Sequence, residues 1–72
     1  MELNGTRLRN RRFELGLTLE ELAKRAEMDF SNLSRLELGK HGAHPATARK
    51  LAVAYDLPMD EFVVSLMAEK AA

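Results

Sequence analysis

Apolar residues recur along this chain at the spacing of a helix face, and stop signals cut the pattern into five short pieces. Leu8, Arg12 and Leu15 share one face of a helix expected from about Gly5 to Leu15, with Asn4 as its cap and Gly16 as its stop. Thr18-Leu-Glu-Glu21 reads as a capping box, in which hydroxyl and carboxylate satisfy each other's backbone amides. It opens a second helix, roughly Leu19–Ala26, with Leu22, Ala23 and Ala26 inward. Glu27-Met28 forms a short turn. Asp29 then caps a third helix over Phe30–Leu38, which turns Leu33 and Leu36 inward and stops at Gly39. Pro45 suits a first helical turn, where its missing amide is harmless, and a fourth helix runs to about Tyr55 with Ala48, Leu51, Ala52 and Tyr55 facing in. Pro58 marks the start of a fifth, Met59–Met67, carrying Phe62, Val63, Leu66 and Met67. Alternating runs, β-branched clusters and hairpin turns are nearly absent. The expected fold is all-α: a compact five-helix bundle forming a single domain over residues 1–72, with a helix-turn-helix at about 18–38.

Composition narrows this picture. A chain of 72 residues fits one domain, whose core is thin because so small a unit buries only roughly 60% of its unfolded surface. No cysteine is present, so disulfides, thiolate metal sites and a cysteine nucleophile are excluded. Met1–Thr6 lacks the basic and apolar regions of a secretory signal, and no apolar run approaches the length of a membrane span. Eleven basic residues balance eleven acidic ones, yet they are unevenly spread. Arg7 to Arg12 holds four arginines and no acid, Arg35 to Lys50 is basic apart from Glu37, and Leu51 to Glu69 holds acids only. A neutral total therefore hides a basic part, and phosphate responds to the local field.

Catalytic and metal chemistry find little support. His41 and His44 lie three apart without a third ligand nearby, which fits a loop close to phosphates better than zinc. Glu20–Glu21 and Asp60–Glu61 sit in first helical turns, where the helix dipole favours negative charge. Ser31, Ser34 and Ser65 have no histidine placed to act as a base, and no glycine-rich loop precedes a helix. Neither an enzyme nor a cofactor is expected.

Thr18 to Gly39 carries the functional signal. Two short helices meet across a tight turn, Ala23 permits their close approach, and Met28 and Leu33 hold their angle. Such a pair can project its second helix into a major groove about 12 Å wide. The stretch from Arg7 through Leu22-Ala23, the segment Asn32-Leu-Ser-Arg-Leu-Glu-Leu-Gly-Lys40, and Pro45 with Leu51-Ala52 and Leu57-Pro-Met-Asp-Glu-Phe62 together resemble the lambda repressor/Cro-like, or xenobiotic-response-element type, helix-turn-helix family. The likeness extends from about Leu8 to Phe62.

That resemblance implies a role for each matching residue. Arg12 corresponds to an arginine that pairs with a glutamate near the end of the recognition helix, here Glu37. Phe30, Ser31 and Arg35, with Ser34 beside them, correspond to positions that meet base edges, Arg35 being suited to a fork on guanine O6 and N7. Arg9, Thr18, Asn32, Lys40 and Arg49 are the expected contacts to the DNA backbone. Leu19 departs from the family's usual glutamine, and Phe30 occupies a site that is usually polar.

The fifth helix has an apolar stripe wider than a thin core needs, which points to Val63, Val64 and Met67 as a two-fold interface. Phe13, on the solvent side of the first helix, either joins such a surface or covers aliphatic stems. The expected protein is a repressor-like, cytoplasmic regulator of bacterial or phage type. It would act on nucleoid DNA as a homodimer, with double-stranded and palindromic operators as its partners. The alternative is an antitoxin or adaptor of the same fold that binds a protein.

Overall fold

The computed structural model describes residues 2–40 and 42–67. Five helices follow in order: α1 (Gly5–Glu14), α2 (Leu19–Arg25), α3 (Phe30–Glu37), α4 (Pro45–Ala54) and α5 (Met59–Leu66). Expected and observed helices match to within a residue at each end. The other regular pairing among the described residues is an isolated antiparallel bridge between Leu3 and Met67.

Helix starts follow local chemistry. The Asn4 side chain accepts from the Arg7 amide at 3.1 Å and so caps α1. At α2 the capping box is complete: the Glu21 amide donates to the Thr18 hydroxyl at 3.1 Å, and the Thr18 amide donates to the Glu21 carboxylate at 2.9 Å. The backbone hydrogen bond at Thr18 also holds the Glu21 carboxyl below its ordinary range. α3 corrects one expectation. Asp29 stands at its N-cap position but makes no side-chain capping bond, so its carboxylate acts there only through the helix dipole.

Helix ends share one device. α1 to α4 all close with a paired turn in which two amides beyond the helix reach back to carbonyls of its last turn, as in Leu17 to Arg12 and Gly16 to Phe13. The turn needs a left-handed residue. Gly16 and Gly39 supply it after α1 and α3, whereas Glu27 (φ 52°) and Asp56 (φ 60°) take it after α2 and α4. The residues that follow three of these turns, Leu17, Met28 and Leu57, fold back onto the core.

Leu8, Leu22, Leu33, Leu51, Tyr55 and Phe62 form the centre of that core, all fully buried. The Tyr55 and Phe62 rings stack at 6.4 Å between centroids. Two arginines fasten α4 by its C-terminal carbonyls. Arg11 donates from Nε and Nη2 to the Tyr55 carbonyl at 3.2 and 2.9 Å, and Arg25 donates to the Ala54 carbonyl at 3.1 Å. Cations at the negative end of a helix stabilise it.

Candidate nucleic-acid interface

α3 is held by one face only. Leu33 and Leu36 enter the core and Glu37 is buried beside them, with α2 and α1 packed on that side. Phe30, Ser31, Asn32 and Arg35 are exposed on the other side, and Ser34 is half-buried between the two. Their order, at i, i+1, i+4 and i+5, keeps Phe30, Ser31, Ser34 and Arg35 along one flank of the helix. Phe30 leaves 48% of its surface in solvent, a large apolar group on an otherwise polar flank.

The end of α3 is locked to α1 by charge. Arg12 Nε and Nη2 donate to the two Glu37 carboxylate oxygens at 2.8 and 2.9 Å, and Nη1 donates to the Leu17 carbonyl at 3.1 Å. Every nitrogen of this guanidinium is engaged, and the fork geometry fixes both helices at once. The hydrogen bond to Glu37 raises the Arg12 pKa despite burial, which acts the other way. Arg12 also stacks over the Phe13 ring, 4.8 Å from its centroid, so exposed Phe13 covers the guanidinium from outside. Arg9 stands 3.7 Å from the same carboxylate with half of its side chain exposed, beside the end of α3.

The four arginines of the basic run thus do not form a free cationic patch. Arg11 and Arg12 are bound internally, and only Arg9 faces the end of α3 while remaining open to solvent. Lys40, the third residue past the end of α3, is exposed, its amide bonded back to the Arg35 carbonyl. Thr18 is exposed at the start of α2, with its hydroxyl already accepting from Glu21. Arg49 is exposed on the outer face of α4. Leu19 is half-buried and packs against the core, so an apolar contact stands where a glutamine is usual.

One feature was missed by sequence reasoning. Asn32 and Leu36 of α3 face Thr47 and Lys50 of α4 across a groove of about 320 Å³, with Met28, Gly42 and His44 at its edges. Lys50 entered the sequence reading only as the end of the basic segment from Arg35, because nothing in the linear pattern says that α3 and α4 line one groove. His44 is the exposed N-cap residue of α4, and its side chain makes no cap bond. His41 lies outside the described residues. Among the described residues, no group of three His, Cys, Asp or Glu side chains is placed to hold a metal ion.

On α5, Val64 is 79% and Val63 37% exposed, while Met67 is half-buried against the core and bridged to Leu3. Asp60, Val63 and Val64 fall at i, i+3 and i+4 on the outward side of α5, whereas Met67 follows the helix in extended backbone and turns toward the core.

A model of the helix-turn-helix domain matches residues 5–63. The chain belongs to the helix-turn-helix domain family. This member is 41% identical over 61 residues to the HTH-type transcriptional repressor RghR of Bacillus subtilis (strain 168). The alignment covers 83% of this chain and 45% of that protein, so the chain spans just under half the length of that relative. Among solved structures, the restriction-modification controller protein C.AhdI from Aeromonas hydrophila superposes with a TM-score of 0.76 at 34% identity, covering 81% of this chain and 88% of that one. The clp gene regulator ClgR from Corynebacterium glutamicum superposes equally well, with a TM-score of 0.76 at 26% identity over 85% of this chain and 65% of that one.

Proposed function

We propose that this protein is a repressor-like transcriptional regulator that binds double-stranded DNA, with α3 as its reading helix. The observation that carries the reading is the two-sided character of α3. Leu33, Leu36 and Glu37 anchor it against α1 and α2, while Ser31, Asn32 and Arg35 on the opposite side are exposed to solvent. Arg35 supplies a forked donor for guanine, Ser31 bonds either base, and Phe30 packs on a thymine methyl. Arg9, Thr18, Asn32, Lys40 and Arg49 hold the phosphates and set the register of the complex. The names of the relatives, a transcriptional repressor, a controller protein and a gene regulator, support the same class.

The protein acts as a homodimer through Val63, Val64 and Met67 on α5, reading a palindromic operator. One short helix buries too little to be specific alone, and a two-fold pair sets two reading helices roughly 34 Å apart, in successive major grooves. Residues 1–72 act as one domain without a bound cofactor, in the cytoplasm and on nucleoid DNA. No helix among the described residues is long and apolar enough to cross a membrane.

The exposed Phe30 ring supports a second reading, in which α3 docks on a protein, as in an antitoxin or adaptor. Selection of bound duplexes from a random pool separates the two. The proposal expects enriched inverted repeats. An unenriched pool, together with no duplex binding, would leave the protein-docking reading.

A further inference from the structure

Helix α1 packs against α3 and also against α5, and so joins the reading helix to the pairing helix. At its start, three consecutive residues touch both. Leu3 is buried and forms the antiparallel bridge with Met67. Asn4 donates its amide to the Leu66 carbonyl at 2.8 Å, while its side chain caps α1. Gly5 then lies directly on the last turn of α3. A methyl group on Gly5 would sit 2.7 Å from the Glu37 carbonyl carbon and 2.9 Å from the Leu36 carbonyl oxygen. Both neighbours are backbone and have no rotamer with which to swing aside. Within three residues the chain is hydrogen-bonded to the end of α5 and pressed against the end of α3.

We propose that Leu3–Gly5 is a strut that fixes the angle between α5 and α3, and that Gly5 is the positioning residue for half-site spacing. The proposal rests on the reading above, in which two copies meet at α5 and each reads a half-site through α3. Changing the separation of two half-sites by one base pair moves one of them about 3.4 Å along the duplex and turns it by roughly 35°. A dimer rejects that change only if each reading helix is tied stiffly to the pairing helix. A bonded backbone at one end and a backbone-on-backbone contact at the other leave little slack. A side chain on Gly5 wedges α1 away from the last turn of α3, at the place where the Arg12–Glu37 fork holds the two together. The reading helix then tilts relative to α5, although none of its DNA-facing side chains has changed.

The test compares duplexes carrying one selected half-site with duplexes carrying two, at the selected separation and one base pair to either side. Wild type, Gly5→Ala and Leu3→Ala are titrated against each, and their folding is followed by thermal melting. Wild type should show one sharp optimum of separation. Gly5→Ala should bind the single half-site much as wild type does but lose roughly tenfold at the selected separation, the scale of one mismatched contact, with its optimum displaced or flattened. Leu3→Ala should broaden the optimum. Should Gly5→Ala fail to fold, hydrogen exchange at the Asn4 amide of the unaltered chain decides. The paired duplex should slow it more than the single half-site does, and equal rates would overturn the strut. Retention of the wild-type optimum and affinity by both variants overturns the strut alone. A wild type indifferent to separation overturns the paired reading, and the strut's role in spacing with it.

Discussion

Arg12 and Glu37 show how one pair of residues serves both fold and site. Both side chains are nearly buried, at 11% and 4% exposed, and each satisfies the other through two short bonds. Removing one partner leaves an uncompensated charge in a poorly solvated place, which costs more than the pair itself contributes. Glu37→Ala should therefore lower stability by about 3 kcal/mol, a large share of the roughly 5 kcal/mol available to a domain this small, as chemical denaturation would measure. Tyr55 presents the opposite case. Its hydroxyl is buried without a hydrogen-bond partner among the described residues, and burial pushes its pKa up. Tyr55→Phe should leave stability unchanged or raise it by up to about 1 kcal/mol, since an unsatisfied buried hydroxyl is costly. A clear loss on denaturation would mean that the hydroxyl has a partner in solution.

At the scale of helices, local chemistry explains most of what was legible in the sequence. Pro45, Gly16, Gly39 and the Thr18–Glu21 box each act within four residues, so their helices could be bounded without knowing the fold. The inward face of α3, Leu33 and Leu36, also followed from helical period, whereas the residues of its open flank were implied by the family resemblance. Long-range partners did not. Arg11 meets the Tyr55 carbonyl 44 residues away, and Gly5 meets the backbone of α3, through contacts that leave no periodic mark. Glu27 and Asp56 were illegible for another reason: they adopt a conformation that glycine normally signals. Glu27→Gly should relieve that conformation and raise stability by about 1 kcal/mol in thermal melting, whereas the same change at a right-handed helical position would destabilise.

For the whole molecule, the proposed arrangement sets two working surfaces on a small body: α3 toward DNA, and the patch of Val63, Val64 and Met67 toward a second copy. Val64 is the most exposed member of that patch and makes little contribution to its own chain's core. Val64→Asp should leave melting of the monomer nearly unaltered while shifting sedimentation toward monomer at concentrations where wild type is paired. Unchanged sedimentation would remove α5 as the interface. Internal hydrogen bonding of Arg11 and Arg12 also means that these two guanidinium groups do not add to a free arginine patch that would offset the neutral total charge. Affinity should therefore depend on a few phosphate contacts, with a salt slope of about one unit for each of them.

The most direct measurement concerns Arg35. Titration of wild type and Arg35→Ala against the selected operator and against random duplex, at one salt concentration, separates base reading from phosphate holding. The account predicts a loss of about 1–3 kcal/mol on the operator and little on random DNA, as expected for a fork on guanine. Equal losses on both duplexes, or none on either, would contradict α3 as the helix that reads sequence.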